Sequence, residues 1–454
     1  MSDVSGSGRA FLAVLVAICL LVALYIAQAG ITARRESEGI TETDIFEAMT
    51  PETFATTVLL AGFRGVLADM LWLRSIKMED EKQWFELQAL YELITQLQPD
   101  FEQVWDFAAW NLAYNIFFEA GSLDEKWDWL DAGKALLVEG IARNPRSYFL
   151  RWKLGELYMR KYADRTYPAF AERLRRQTGK HPYEHALQWF TDASDPGRFP
   201  AHTHLQDLSM AQIHDRLAEL AHSESRLEDE IAHLEEAIGW WWIVLRESPD
   251  NLVGDKRVSQ LSGRLAPAYS AVAKQAGSGE EAERALAKLR EVADRTLELW
   301  GGYVEGDLER LLVAAVARTE LVEALAAVHG EQAAMAEVSK AEELLNILKT
   351  QAAEMYAAHP LNPEFLFYGG EAARSLARCA LIRHDEGAAN EFHVEALKAY
   401  IMVNEQIMGF GNSIKRVDYL ELESLVGRLI PEVQDRVKAY LGTAAQRPAK
   451  GGGV

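Results

Sequence analysis

The sequence predicts an all-α chain of stacked helical hairpins, and three observations carry that prediction. Alternating period-two runs are scarce, while Ala, Leu, Glu, Lys and Gln dominate stretches of helical length. Short breaks of Pro, Asn, Asp or Gly separate those stretches. A pattern of small and large residues also returns along the chain, as a stack of similar hairpins requires.

The N-terminus comes first. Phe11 to Ala29 is apolar and uncharged, and about 20 such residues span a ~30 Å hydrocarbon layer. Two readings stand for residues 10–32: a single transmembrane anchor, or a signal peptide cut at Ala27-Gln28-Ala29. The run is longer than the ~7–15 residues of a signal core, which favours the anchor. With the short flank 1–9 inside, the body is expected in the periplasm, held to the inner membrane; a cytoplasm-facing body is the other orientation. Residues 33–50 read as a polar linker. Thr50-Pro51-Glu52 then starts a helix expected to run towards Met78, with a hydroxyl cap, a first-turn proline and an acid at the positive end of the dipole. Arg64 and Asp69 argue against a second span there. That helix is either the first core helix or one lying on the bilayer surface.

Repeated hairpins are expected over 51–260. Leu87, Tyr91, Ile94 and Pro99 lead to Trp105, Ala108, Ala109 and Leu112. Gly133, Leu137, Gly140 and Pro145 lead to Leu154, Gly155 and Tyr158. Ala186, Phe190 and Ala193 repeat the second half, as do Ala237, Trp241, Val244 and Pro249; Ala396, Tyr400 and Val403 are a weaker echo. Further hairpins are expected over 261–442. Ala282, Leu286, Leu289, Val292 and Leu297 mark one apolar stripe there, and Leu311 to Ala327 another. Residues 443–454 read as a disordered tail.

These residues resemble the tetratricopeptide repeat, a 34-residue helix pair in which small residues sit where the axes cross and aromatics fill the gaps. The resemblance implies a divergent helical-hairpin solenoid with one N-terminal transmembrane helix. It departs from the pattern in places: Pro99 and Pro145 stand about a third of a unit too far apart, and Trp152 is one position from the expected tryptophan. The segment Leu67 to Arg74, after one apolar span and before the repeats, is similar to that of bacterial membrane-anchored repeat proteins, a likeness that implies architecture and no activity. In tetratricopeptide-like arrays the first helix of each pair lines the groove. The resemblance therefore directs Asp106, Trp110, Tyr114, Phe149, Trp152, Glu156 and Arg160 towards a protein- or peptide-binding groove. The competing reading is that helices of the same chain fill it.

Composition bounds the remaining possibilities. A formal net charge of −21, from 68 acidic and 47 basic residues, disfavours general nucleic-acid binding. Within that acidic chain Arg165, Arg173, Arg175, Arg176 and Lys180 form a basic island, either a solvated helix face or a site for an acidic partner or lipid headgroups. Trp240-Trp241-Trp242 cannot share a face, because successive helical residues turn by ~100°. Trp241 is expected between helices, with its neighbours fanned to either side. His181 and His185 stand at the i, i+4 spacing that can share a metal, but without the glutamate of a His-Glu-x-x-His site. Cys19 and Cys379 define no disulfide framework. No nucleophile, phosphate or dinucleotide motif is present, so no catalytic, cofactor-binding or metal-ligating residue is nominated. The expected function is a membrane-anchored, non-catalytic scaffold of the bacterial envelope. The alternative is an envelope enzyme acting on cell-wall or surface glycan, which needs two carboxylates converging in a deep cleft.

Overall fold

The computed structural model describes residues 64–199, 203–248, 251–301, 307–411 and 419–445. The expected anchor, linker and most of the tail lie outside them. The described residues are all-α and contain no strand. None of their helices is long and apolar enough to cross a membrane. The chain divides into two compact units between His202 and Thr203, inside the 51–260 segment.

The first unit holds α1 (Arg64–Asp80), α2 (Trp84–Leu97), α3 (Glu102–Trp110), α4 (Leu123–Arg143), α5 (Tyr148–Leu157), α6 (Pro168–Thr178) and α7 (Pro182–Ala193). The helix begun at α3 continues through a π-helical segment, Asn111–Ile116, into a last turn at Phe117–Glu119; α5 likewise runs into a π-helical segment, Tyr158–Tyr162. Each helix packs on its neighbour in sequence, α6 meeting α5 through the π-helical extension of α5, and α3 also touches α5, as α5 touches α7. The repeated residues make these contacts. Leu87, Tyr91, Ile94, Trp105, Ala108, Ala109 and Leu112 are all buried. A β-carbon on Gly140 would meet the Trp105 ring at 2.8 Å, and one on Gly155 would meet Phe190 at 2.6 Å. Trp105 Nε1–H donates to the Pro99 carbonyl at 2.9 Å, and Asn144 Nδ2 donates to the same oxygen at 2.8 Å, tying the α2–α3 turn to the end of α4.

The second unit holds α8 (His204–Ser223), α9 (Leu227–Glu247), α10 (Leu252–Ala276), α11 (Glu280–Gly301), α12 (Leu308–His329), α13 (Glu331–Ala358), α14 (Pro363–Ile382), α15 (Glu386–Gly409) and α16 (Leu420–Ala445). Sequence neighbours pack throughout, and α10, α12 and α14 also touch in turn, forming a row. α12 is buried on nearly every side, from Leu311, Ala315 and Leu321 to Arg318 and Glu320, as a helix without a solvent face must be. Trp241 is buried, while Trp240 and Trp242 pack partly exposed at the margin of the same core. Gly370 repeats the close crossing of the first unit, its missing β-carbon 2.8 Å from the Tyr400 ring.

Three hairpin turns share a feature that composition hides. Lys82, Ser225 and His384 all have positive φ, near 55–58°. In each case the next amide closes back on a carbonyl five residues earlier: Gln83 on Met78, Arg226 on Ala221, Asp385 on Ala380. This is the left-handed helix end usually made by glycine. A non-glycine residue there carries about 1 kcal/mol of strain. Ser225→Gly should therefore raise the stability of the second unit by about 0.5–1 kcal/mol, read as a higher denaturant midpoint at unchanged slope.

Candidate protein-binding face

The residues that α3 and α5 bury, Trp105, Ala108, Leu112, Leu150 and Leu154, fix which side of each helix is left over. Asp106, Trp110 and Tyr114 lie on that side of α3 and its π-helical extension. Phe149, Trp152, Glu156 and Arg160 lie on that side of α5 and its extension. Because α3 packs directly on α5, the two sets meet. Lys153 Nζ lies 3.4 Å from Asp106 Oδ2 and joins them. Its ammonium also sits 5.3 Å from the Phe149 ring centre and 5.2 Å from that of Trp152, inside the range of cation–π attraction. Arg160 Nε donates to Glu156 Oε1 at 3.0 Å. The seven residues singled out in the sequence thus form one continuous face.

Aromatic rings extend that face further. Trp110 stacks on Tyr114 with centroids 5.9 Å apart, Phe107 lies 6.4 Å from Trp110, and Trp72 of α1 meets Phe107 edge-on at 5.1 Å. Lys161 closes the strip, its ammonium 4.8 Å from Tyr114 and 3.7 Å from Phe117. Trp110 is 44% exposed and Phe107 45%, so large apolar surface remains open along a line of rings.

The electrostatics follow from partial desolvation. Burial pushes the Asp106 carboxyl above its ordinary value against the pull of Lys153. Burial and the Glu156 carboxylate push the Tyr114 hydroxyl up to about 12. Burial also draws Lys161 below its usual range. Charges held on a half-dry aromatic floor interact more strongly than fully solvated ones.

Both π-helical segments carry residues of this face, Tyr114 in one and Arg160 in the other. A π turn widens the helix locally and is often found where side chains must be re-aimed. Asn111 opens the first of them fully buried, its amide donating to Tyr91 Oη at 2.8 Å and to Glu79 Oε2 at 3.2 Å. Sequence reasoning did not single out Lys153 or Phe107, and it did not place Lys161 or Trp72 on this face. Phe107 carried the signal of helical spacing with Trp110, but the directions of Trp72 and Lys153 depend on which helices lie beside them.

The basic island does not converge on one point. Arg173 turns to α4, donating to Asp124 Oδ1 at 2.9 Å with its guanidinium 4.4 Å from the Trp127 ring centre. Arg175 and Arg176 are exposed in the last turn of α6, where cations oppose the negative end of the helix dipole. Lys180 follows in the turn, and Arg165 is exposed ahead of α6. His181 caps α7 through Nδ1, which accepts from the Tyr183 amide at 3.2 Å, and His185 Nε2 lies 2.9 Å from Thr178 Oγ1. Among the described residues no group of three or more metal-ligating side chains is assembled.

The second unit has a groove of its own, about 700 Å³, lined among others by Lys274, Glu320, Glu323, Arg378, His393 and Arg436. Arg378 donates to Glu323 Oε1 at 2.5 Å and to Glu320 Oε1 at 2.6 Å, and Lys274 reaches Glu323 at 2.7 Å. Burial works to raise the Glu323 pKa, but Arg378 and Lys274 outweigh it and hold the carboxyl at about 2. Glu323 is thus fixed as a carboxylate rather than poised to give up a proton.

No protein-family model matches the chain, and no curated protein is significantly similar to it.

Proposed function

We propose that the chain is a divergent tetratricopeptide-like helical-hairpin solenoid, tethered to the bacterial inner membrane through Phe11–Ala29, that holds partner proteins without catalysing a reaction. The observation that carries this reading is the half-open aromatic strip from Trp72 to Tyr114, flanked by the Phe149–Trp152 pair and by paired charges. Rigid aromatic side chains beside desolvated charge are the composition of protein-binding hot spots. A segment with apolar anchors spaced along a helix or strand is the ligand class this favours, the apolar groups meeting the rings and polar groups meeting Lys153 and Glu156. The glycan-enzyme reading has less support: it asks for a protonated carboxylic acid opposite an ionised one, whereas Glu320 and Glu323 of the second-unit groove are held by arginine and lysine.

The test is recovery of partners with the full-length protein from gently solubilised membranes. Trp110→Ala and Trp152→Ala should each weaken capture about 5- to 50-fold, the effect of losing an interface anchor. Helical content should stay unchanged, because both rings are partly exposed. Undiminished recovery with both variants would count against the face.

A further inference from the structure

The opposite side of α1 carries a second feature that the binding face does not use. Ala68, Ser75 and Met78 are buried, and Trp72 packs on Tyr91 and Phe107, so one side of α1 is committed to its own unit. On the other side Val66, Met70 and Leu73 are 50%, 61% and 70% exposed. Their spacing, four then three, is that of the 3.5-residue seam of paired helices, and Ile76, 58% exposed, stands one turn beyond Leu73 at its edge. In the sequence the same apolar spacing continues backwards through Phe63 and Leu59 and ends forwards at Lys77.

The flanking charges identify what covers the seam. With Met70 at the first seam position of its heptad, Asp69 immediately precedes it and Arg74 immediately follows Leu73. Within the described residues neither makes an ion pair. Two parallel copies of α1 in register would set Asp69 of one beside Arg74 of the other, five residues on, twice by symmetry. That is the position at which interhelical salt bridges set partner and orientation. An antiparallel pair would instead bring like charges together, which is unfavourable.

We infer that α1 is a self-association surface: two copies of this chain pair their α1 helices in parallel through Val66, Met70 and Leu73, with Asp69 of each facing Arg74 of the other. The seam is short, so the pairing is weak in dilute solution and strengthened wherever two copies are confined together.

The experiment uses the full-length protein in detergent or nanodiscs. Its mass by light scattering should rise from one copy to two with concentration. Asp69→Arg and Arg74→Asp alone should each weaken dimerisation at least tenfold, and the two together should restore it. A Leu73→Cys variant in a Cys19→Ser background, with Cys379 buried, should give a disulfide-linked dimer on mild oxidation. A single-copy mass at every concentration would overturn the inference. So would indifference to the charge reversals, or a monomer whose label at position 73 reports insertion into lipid, since the seam would then belong to the bilayer.

Discussion

Arg378→Met should destabilise the second unit by about 3 kcal/mol, and the loss should be largely recovered by adding Glu320→Gln and Glu323→Gln. The guanidinium on α14 serves two carboxylates of α12, and Lys274 from α10 reaches the same pair. Removing the arginine leaves two mostly buried negative charges with one lysine between them. Breaking a buried ion pair in this way costs about 3–5 kcal/mol, whereas neutralising the whole cluster is often nearly free. The partial exposure of Glu323 puts the expected value at the low end. The same cluster predicts an acid response. Glu323 ionises at about 2 instead of its ordinary 4.5, so in the folded unit its proton binds less readily than in the unfolded chain. Its contribution is complete above pH ~4.5 and is lost as pH falls towards 2, amounting to about 3 kcal/mol over that window. Denaturant midpoints between pH 6 and pH 2.5 should fall more steeply in the native protein than in the Arg378→Met variant.

Gly155→Val should destabilise the first unit by about 2–3 kcal/mol, although valine forms helix better than glycine does. A β-carbon at Gly155 would stand 2.6 Å from two carbons of the Phe190 ring, and both residues are buried. The ring cannot yield without moving α7 away from α5, so overpacking outweighs the gain of under 1 kcal/mol in helix propensity. Gly239 supplies the opposite case. It lies within α9, and a β-carbon added there would meet no neighbouring side chain or helix within 4 Å, so Gly239→Ala should stabilise by about 1 kcal/mol. Opposite signs at two helical glycines would distinguish a packing requirement from a general intolerance of change.

These two cases mark what was legible in the sequence. Gly155, Phe190 and Tyr400 were legible as packing residues because small and aromatic residues at helical spacing suit close helix crossings, but which residue each would meet, and the part played by Gly370, were not. Trp105 and Trp241 were legible as core for the same reason. The two sets of residues on α3 and α5 came from the tetratricopeptide resemblance, which turns the first helix of each pair towards a groove. Their joining by Lys153 was not legible, because that depends on which helix lies alongside. The Arg378 cluster was hidden for a related reason: its charges lie on three helices far apart in sequence, and an arginine reads the same whether it faces water or two glutamates. The left-handed turns at Lys82, Ser225 and His384 escaped because the residue that usually marks them, glycine, is missing. The basic island was legible as a local density of charge but not in its detail: Arg173 is drawn to Asp124 and Trp127, Arg175 and Arg176 sit at a helix end that favours cations, and Arg165 lies ahead of the same helix.

The proposal that the α3–α5 face holds a partner protein is tested most directly by photo-crosslinking in intact cells. A benzoylphenylalanine placed at Trp110 keeps an aromatic group on the strip, and one placed at Ala142, exposed on α4, serves as the control. The proposed function predicts a discrete protein adduct from position 110 that is missing from position 142 and is lost when Trp152→Ala is added. No adduct at position 110, or the same adducts from both positions, would contradict it.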